Sequence, residues 1–145
     1  MSDLEKQDLK NKKVIVRVDL NVPLDDDDNV TDTTRIVACK ETVDLILEKG
    51  GICILISHLG RPKGKENKFS LKKIIDTVSS VLGRKVFFYE DCIGQGAQEA
   101  ISKLDKGSII LLENLRFYEE ETSGDRVFAK NLSKLGDIYV NDAFG

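Results

Sequence analysis

The sequence is poor in the residues on which several kinds of chemistry depend. It holds one histidine, His58, and three cysteines, Cys39, Cys53 and Cys92, with no C-x-x-C pair among them. A zinc site is therefore badly short of ligands. An odd set of thiols leaves one over in any disulfide scheme, so reduced, packed thiols in a cytosolic protein are expected. Basic charge is not in excess: 22 Lys and Arg stand against 25 Asp and Glu, a net charge of −3. That balance argues against broad nucleic-acid binding. No apolar run approaches membrane-spanning length, so no membrane partner is expected. Met1-Ser2-Asp3-Leu4-Glu5 lacks the basic and apolar regions of a signal peptide. Two nucleotide signatures are missing as well. Gly94-Gln95-Gly96 lacks the third glycine of a dinucleotide loop, and Gly60 to Lys65 does not match G-x-x-x-x-G-K-S/T.

What is present is a soluble globular chain, 41% hydrophobic and 32% charged, with 145 residues to build one domain and its core. Its organising stretch is Lys13 to Pro23, K-V-I-V-R-V-D-L-N-V-P. The β-branched run Val14-Ile15-Val16, with Val18 following, suits a strand buried on both faces of a parallel sheet. Asp19 and Asn21 then alternate with Leu20 and Val22, and Pro23 ends the ladder. Strand geometry puts residues 19 and 21 on one side, as the floor of a binding site. The acidic run Asp25 to Asp28 lacks the spaced oxygens and turn glycine of a calcium loop and reads as a solvated surface loop.

Further along, Thr33 or Thr34 offers an N-cap for a helix to about Lys49, stopped by Gly50-Gly51. Ile52 to Ile56 is a second apolar strand, running straight into Ser57-His58-Leu59-Gly60-Arg61-Pro62. Ser70 caps a helix closed by Gly83. Val86-Phe87-Phe88, Ile109 to Leu112 and Ile138-Tyr139-Val140 are further strands, separated by a short helix around Ala97 to Leu104 and another from about Asp125 to Leu135. Alternating strands and helices with short links predict an α/β fold: an open, mostly parallel, Rossmann-like three-layer sheet with helices on both faces.

Ligands of such sheets bind outside the carboxyl ends of the strands. The polar residues found there form one set: Asp19 and Asn21 after the first strand, His58 and Arg61 after the second, Arg116 after the fourth. Arg35, in the first turn of the first helix, joins them if the intervening loop folds back. Three arginines, a histidine, an aspartate and an asparagine suit a small anion with more than one charged end and a hydroxyl between, because guanidinium forks match phosphate and carboxylate oxygens. Asp19 can accept from a hydroxyl and orient a neighbouring arginine. Each residue also has a plainer explanation. The histidine could be a packed or capping residue, Arg61 and Arg116 surface arginines, and Arg35 a partner for the acidic run at 25 to 28. The convergence at strand exits favours the site.

Four motifs carry a resemblance: R-V-D-L-N-V-P at 17 to 23, S-H-L-G-R-P at 57 to 62, L-E-N-L-R-F at 112 to 117 and V-N-D-A-F-G at 140 to 145. In order and spacing they resemble the N-terminal half of phosphoglycerate kinase, across essentially the whole chain. The resemblance implies reversible phosphoryl transfer in glycolysis between MgATP and 3-phosphoglycerate, giving 1,3-bisphosphoglycerate and MgADP. It gives Asp19 and Asn21 the substrate's hydroxyl and carboxylate end, and Arg61 and Arg116 its phosphate, with His58 beside them. It gives Arg35 the carboxylate and the phosphoryl group in flight. Residues 1–145 correspond to the substrate-binding domain, incomplete at its C-terminus. The nucleotide-binding domain, which holds ATP or ADP with its Mg2+, is expected beyond Gly145, and the full-length protein is expected to be a cytoplasmic monomer. On this reading the chain alone is one jaw of a closing enzyme, with weak substrate binding and no turnover. Two alternatives stay open: a non-catalytic α/β module for a small phosphorylated metabolite, and a fragment that only pairs with its missing half. A flavodoxin-like receiver domain shares the topology but needs an acidic pocket.

Overall fold

The computed structural model describes residues 6–59, 69–117 and 126–142, with the side chains of 116 and 127–129 outside that description. Strands and helices alternate as predicted: β1 (Lys13–Arg17), α1 (Thr34–Glu48), β2 (Ile52–Ile56), α2 (Ile75–Leu82), β3 (Val86–Tyr89), α3 (Gln95–Ser102), β4 (Ile109–Leu112), α4 (Arg126–Ser133) and β5 (Ile138–Asn141). One turn of 3-10 helix, Leu71–Ile74, leads into α2, and another, Leu115–Phe117, follows β4. The five strands form a single sheet in the spatial order β3-β4-β2-β1-β5, and every pairing is parallel.

The apolar runs divide cleanly between two cores because successive strand residues face opposite ways. Val14, Val16, Cys53, Leu55, Ile109 and Leu111 pack under α1 and α2, against Ile36, Val43, Ile46 and Val78. Ile15, Ile54, Ile56, Ile110 and Leu112 face the other side, where α3 supplies Ala97 and Ile101, and Leu135 follows α4. Burial on both faces is why these strands read as continuous hydrophobic runs. The three thiols are free and buried.

Local details depart from expectation in instructive ways. The first strand stops at Arg17, well short of Pro23. One more ladder bond follows, from Val18 N to Ile56 O at 3.0 Å, and there β2 runs out of strand backbone to offer. Thr33 holds the N-cap position of α1 without a side-chain bond. Asp32 does that work, its Oδ1 accepting from Thr34 N at 2.9 Å and Thr34 Oγ1 at 2.6 Å. Ser70 caps as expected, accepting from Lys72 N at 3.2 Å, but the first turn it opens is 3-10 rather than α. The expected helix from Asp125 is described from Arg126.

Two glycines are set by close approach. Gly136 lies directly on β1, where a Cβ would meet Ile15 Cγ1 at 2.7 Å and Lys13 O at 2.8 Å. Gly96 backs onto the Tyr89 hydroxyl, so the Gly94-Gln95-Gly96 pair serves the packing of β3 against α3.

Candidate functional site at the carboxyl edge of the sheet

Beyond Arg17 the chain leaves the ladder but stays in contact with the sheet. Leu20 N donates to Ser57 Oγ at 2.9 Å, so a side chain of the β2 exit replaces the missing strand carbonyl. Leu20 is fully buried, while Asp19 and Asn21 on either side of it are half-buried. The alternation expected of a strand therefore persists here without the strand. Asp19 does not project free. Its Oδ1 accepts from Asn21 N at 3.0 Å and from Arg35 Nη1 at 3.3 Å.

Arg35 sits at the second position of α1, and its Nη1 also donates to the Asn21 carbonyl. The loop between β1 and α1 folds back as the site required. It does so through a tight turn at the acidic run: Asp25 Oδ1 accepts from Asp27 N and Asn29 N, both at 2.9 Å, and Leu24 bridges Val30. The Asn29 amide bond chiefly holds the Asp25 carboxyl below the usual carboxylate range. Arg35 thus pairs with Asp19 and not with the run. The run's own ion pair is Asp28 with Lys73, at 3.1 Å. The Asp19–Arg35 pair is partly solvated, so it adds little stability, and Arg35 remains able to re-aim at an incoming anion.

His58 follows directly after Ser57 and is half-buried at the same edge. Asp19, Asn21 and Arg35 are therefore in contact, and His58 leaves the neighbouring strand at the same edge of the sheet. Arg61 lies outside the described residues. Arg116 belongs to the 3-10 turn after β4, and its backbone is fixed next to the β2 exit by Leu115 N donating to Ser57 O at 3.0 Å.

Sequence reasoning missed the residues that support this edge. Four polar side chains are buried among the described residues, and three of them, Ser57, Glu113 and Asn114, stand at the carboxyl ends of β2 and β4. Such burial is costly unless every polar atom is satisfied. Glu113 Oε2 accepts from Ser70 Oγ at 2.6 Å, and its Oε1 accepts from Leu71 N at 2.8 Å. Asn114 Nδ2 donates to Leu59 O at 2.8 Å and to Phe69 O at 2.9 Å, holding both described flanks of residues 60–68. The signal was present only as an abrupt apolar-to-polar switch, which does not say which polar residue turns inward.

No group of three or more His, Cys, Asp or Glu side chains among the described residues could hold a metal ion. No helix among them is long and apolar enough to cross a membrane. The edge offers hydrogen-bond acceptors at Asp19 and Asn21 beside a mobile positive charge, an arrangement for seating and polarising a small anion.

Comparison with known proteins extends this geometry. The family model described as phosphoglycerate kinase matches residues 3–145. The chain is 53% identical over 142 residues to a cytosolic phosphoglycerate kinase of Triticum aestivum, covering 98% of this chain and 35% of the relative. It is 50% identical over 145 residues to a chloroplastic phosphoglycerate kinase of Arabidopsis thaliana, covering 100% of this chain and 30% of that one. Among solved structures, the phosphoglycerate kinase of Pyrococcus horikoshii superposes with a TM-score of 0.85 at 33% identity, over 97% of this chain and 36% of the other. That of Coxiella burnetii gives 0.83 at 34% identity, over 96% and 34%. The chain spans about a third of the length of the curated relatives it matches.

Proposed function

The chain belongs to the phosphoglycerate kinase family, and from that premise we propose that it forms the 3-phosphoglycerate-binding half of the kinase. The reaction is the reversible transfer of a phosphoryl group between MgATP and the substrate carboxylate, giving 1,3-bisphosphoglycerate and MgADP. The observation that carries this reading is the joint hold of Arg35 on the Asp19 carboxylate and the Asn21 carbonyl, at the edge where His58 also emerges.

In this assignment Asp19 and Asn21 accept from the substrate hydroxyl and fix the carboxylate end. Arg35 leaves part of its contact with Asp19 to face the carboxylate, where it stabilises the transferring group. A loose, charge-rich transition state needs alignment and fixed positive charge rather than a covalent nucleophile, and a guanidinium already held in place costs little reorganisation. Arg61 and Arg116 keep the role the resemblance gives them, gripping the phosphate, with His58 beside them. The described residues offer no donor set for magnesium, and the nucleotide with its Mg2+ is assigned to the part of the family's length that this chain does not span. The compartment proposed is the cytoplasm, as named for the wheat relative, and the full-length protein is taken as a monomer.

The test is calorimetric titration of the chain with 3-phosphoglycerate, followed by mixing with a separately made C-terminal half. Weak saturable binding, lost in Asp19→Ala, and restored turnover on mixing are expected. Binding without turnover would point to a non-catalytic metabolite-binding module, and absence of any binding would sink the site.

A further inference from the structure

We propose that Ser57 is a positioning residue of this site, whose hydroxyl fixes the exit of β1 against that of β2 while its main-chain carbonyl holds the turn after β4. The inference rests on the reading above. Ser57 is 1% exposed, directly after β2, a strand of Ile, Leu and Cys residues buried throughout. An apolar residue of similar size would bury there without desolvation cost. The hydroxyl is instead fully used. It accepts from Leu20 N at 2.9 Å and donates to His58 O at 3.2 Å. The main-chain carbonyl of the same residue accepts from Leu115 N at 3.0 Å.

The consequences fall on the substrate side. Leu20 separates Asp19 from Asn21, so the bond to its amide sets the height of both acceptors above the sheet. Arg35 is held only by Asp19 and the Asn21 carbonyl among the bonds described for its side chain, and is therefore aimed by the same contact at second hand. His58 is fixed through its own carbonyl, and the turn bearing Arg116 through the Leu115 amide. Among the described residues the bonds of Ser57 run to Leu20, His58 and Leu115 and not to α1 or α2, so its loss acts on the rim before it acts on the core.

The experiment uses initial-rate kinetics of the full-length kinase carrying this chain, with Ser57→Ala, Asp19→Ala and the double variant. Ser57→Ala is expected to raise KM for 3-phosphoglycerate about five-fold, the effect of one lost buried hydrogen bond on aim, while KM for MgATP stays within about two-fold. In the Asp19→Ala background the same substitution is expected to have a clearly smaller effect, since one of the groups it aims is gone. Equal rises in both KM values, or a Ser57→Ala effect that is undiminished in the double variant, would overturn the assignment in favour of a purely structural serine. If Asp19→Ala raises KM and Ser57→Ala does not, only the positioning role falls. If Asp19→Ala itself leaves KM for 3-phosphoglycerate unchanged, the substrate site falls and this role with it. Should Ser57→Ala not fold, Ser57→Cys, which keeps bulk but accepts weakly, takes its place under the same criteria.

Discussion

The two ends of the sheet are closed in different ways. At the amino end main chain meets main chain: Ile52 N bonds Lys12 O, Cys53 N bonds Ser108 O, Gly107 N bonds Gly51 O, and Asp137 N bonds Lys13 O, all between 2.7 and 2.9 Å. Side chains add bonds only from exposed or half-buried groups there, Asp137 Oδ2 accepting from Lys13 N at 2.9 Å and Ser79 Oγ from Val86 N at 3.2 Å, and at Gly136 what matters is smallness. At the carboxyl end the ladder stops early and buried side chains, Ser57, Glu113 and Asn114, take over the closing bonds. Backbone closure tolerates most side chains and presents nothing to solvent. Side-chain closure frees the adjacent residues to carry charge outward, at the cost of buried polar groups that must each be matched. The end to which the substrate is assigned is the end that gives up its ladder.

The largest effect that sharpens this contrast is catalytic. In the full-length kinase, Arg35→Met is expected to lower kcat about a hundred- to a thousand-fold with a much smaller change in KM, because its charge counts most in the transition state. Steady-state kinetics checks it, and comparable losses in both parameters would refute the division. Asn114→Leu should cost about 2–3 kcal/mol of stability, since Asn114 is fully buried and the Leu59 and Phe69 carbonyls would both lose their donor. Urea unfolding measures this, and a neutral result would show that the carboxyl-end bonds are dispensable.

At the other end, Gly136→Ala should cost about 1–2 kcal/mol, because the new methyl meets the Lys13 carbonyl as well as the Ile15 side chain. An unchanged thermal midpoint would mean that the amino end has more room than its main-chain packing implies. The smallest effect lies away from both ends. The hydrogen bond from Lys40 to Asp44 at 2.8 Å, with Arg84 behind it, holds the Asp44 carboxyl below its ordinary range. A depressed folded-state value means this contribution is complete above about pH 4 and fades as pH falls through the lowered value. Asp44→Asn should flatten the acid limb of the stability curve by about 0.5 kcal/mol, read from unfolding at stepped pH.

Much of this was legible in the sequence. Continuous apolar runs such as Ile52 to Ile56 predicted strands covered on both faces, and the alternation with helical stripes predicted parallel pairing. Asp19, Asn21, Arg35 and His58 were drawn together from topology alone. The spatial strand order was not legible, because periodicity gives the kind of element and not its neighbour. Nor was the end of β1, since Val18 to Val22 keeps the strand alternation while β2 has no backbone left to pair with it. Glu113 and Asn114 stand in the sequence only as polar residues that end an apolar run. Their partners, Ser70, Leu71, Leu59 and Phe69, lie about 40 to 55 residues away along the chain, and only the folded arrangement turns them inward. Thr33 is the N-cap as expected, but the capping bond comes from Asp32, one position earlier and the stronger acceptor.

The sheet order also constrains when the domain can be completed. β1, the first described strand in chain order, lies between β2 and β5, and β5 is the last. From the moment β2 docks until residues 138–141 arrive, one side of that earliest strand is an open template for any extended peptide nearby. That last pairing sets Val14 against Ile138, a separation along the chain of the kind that slows folding.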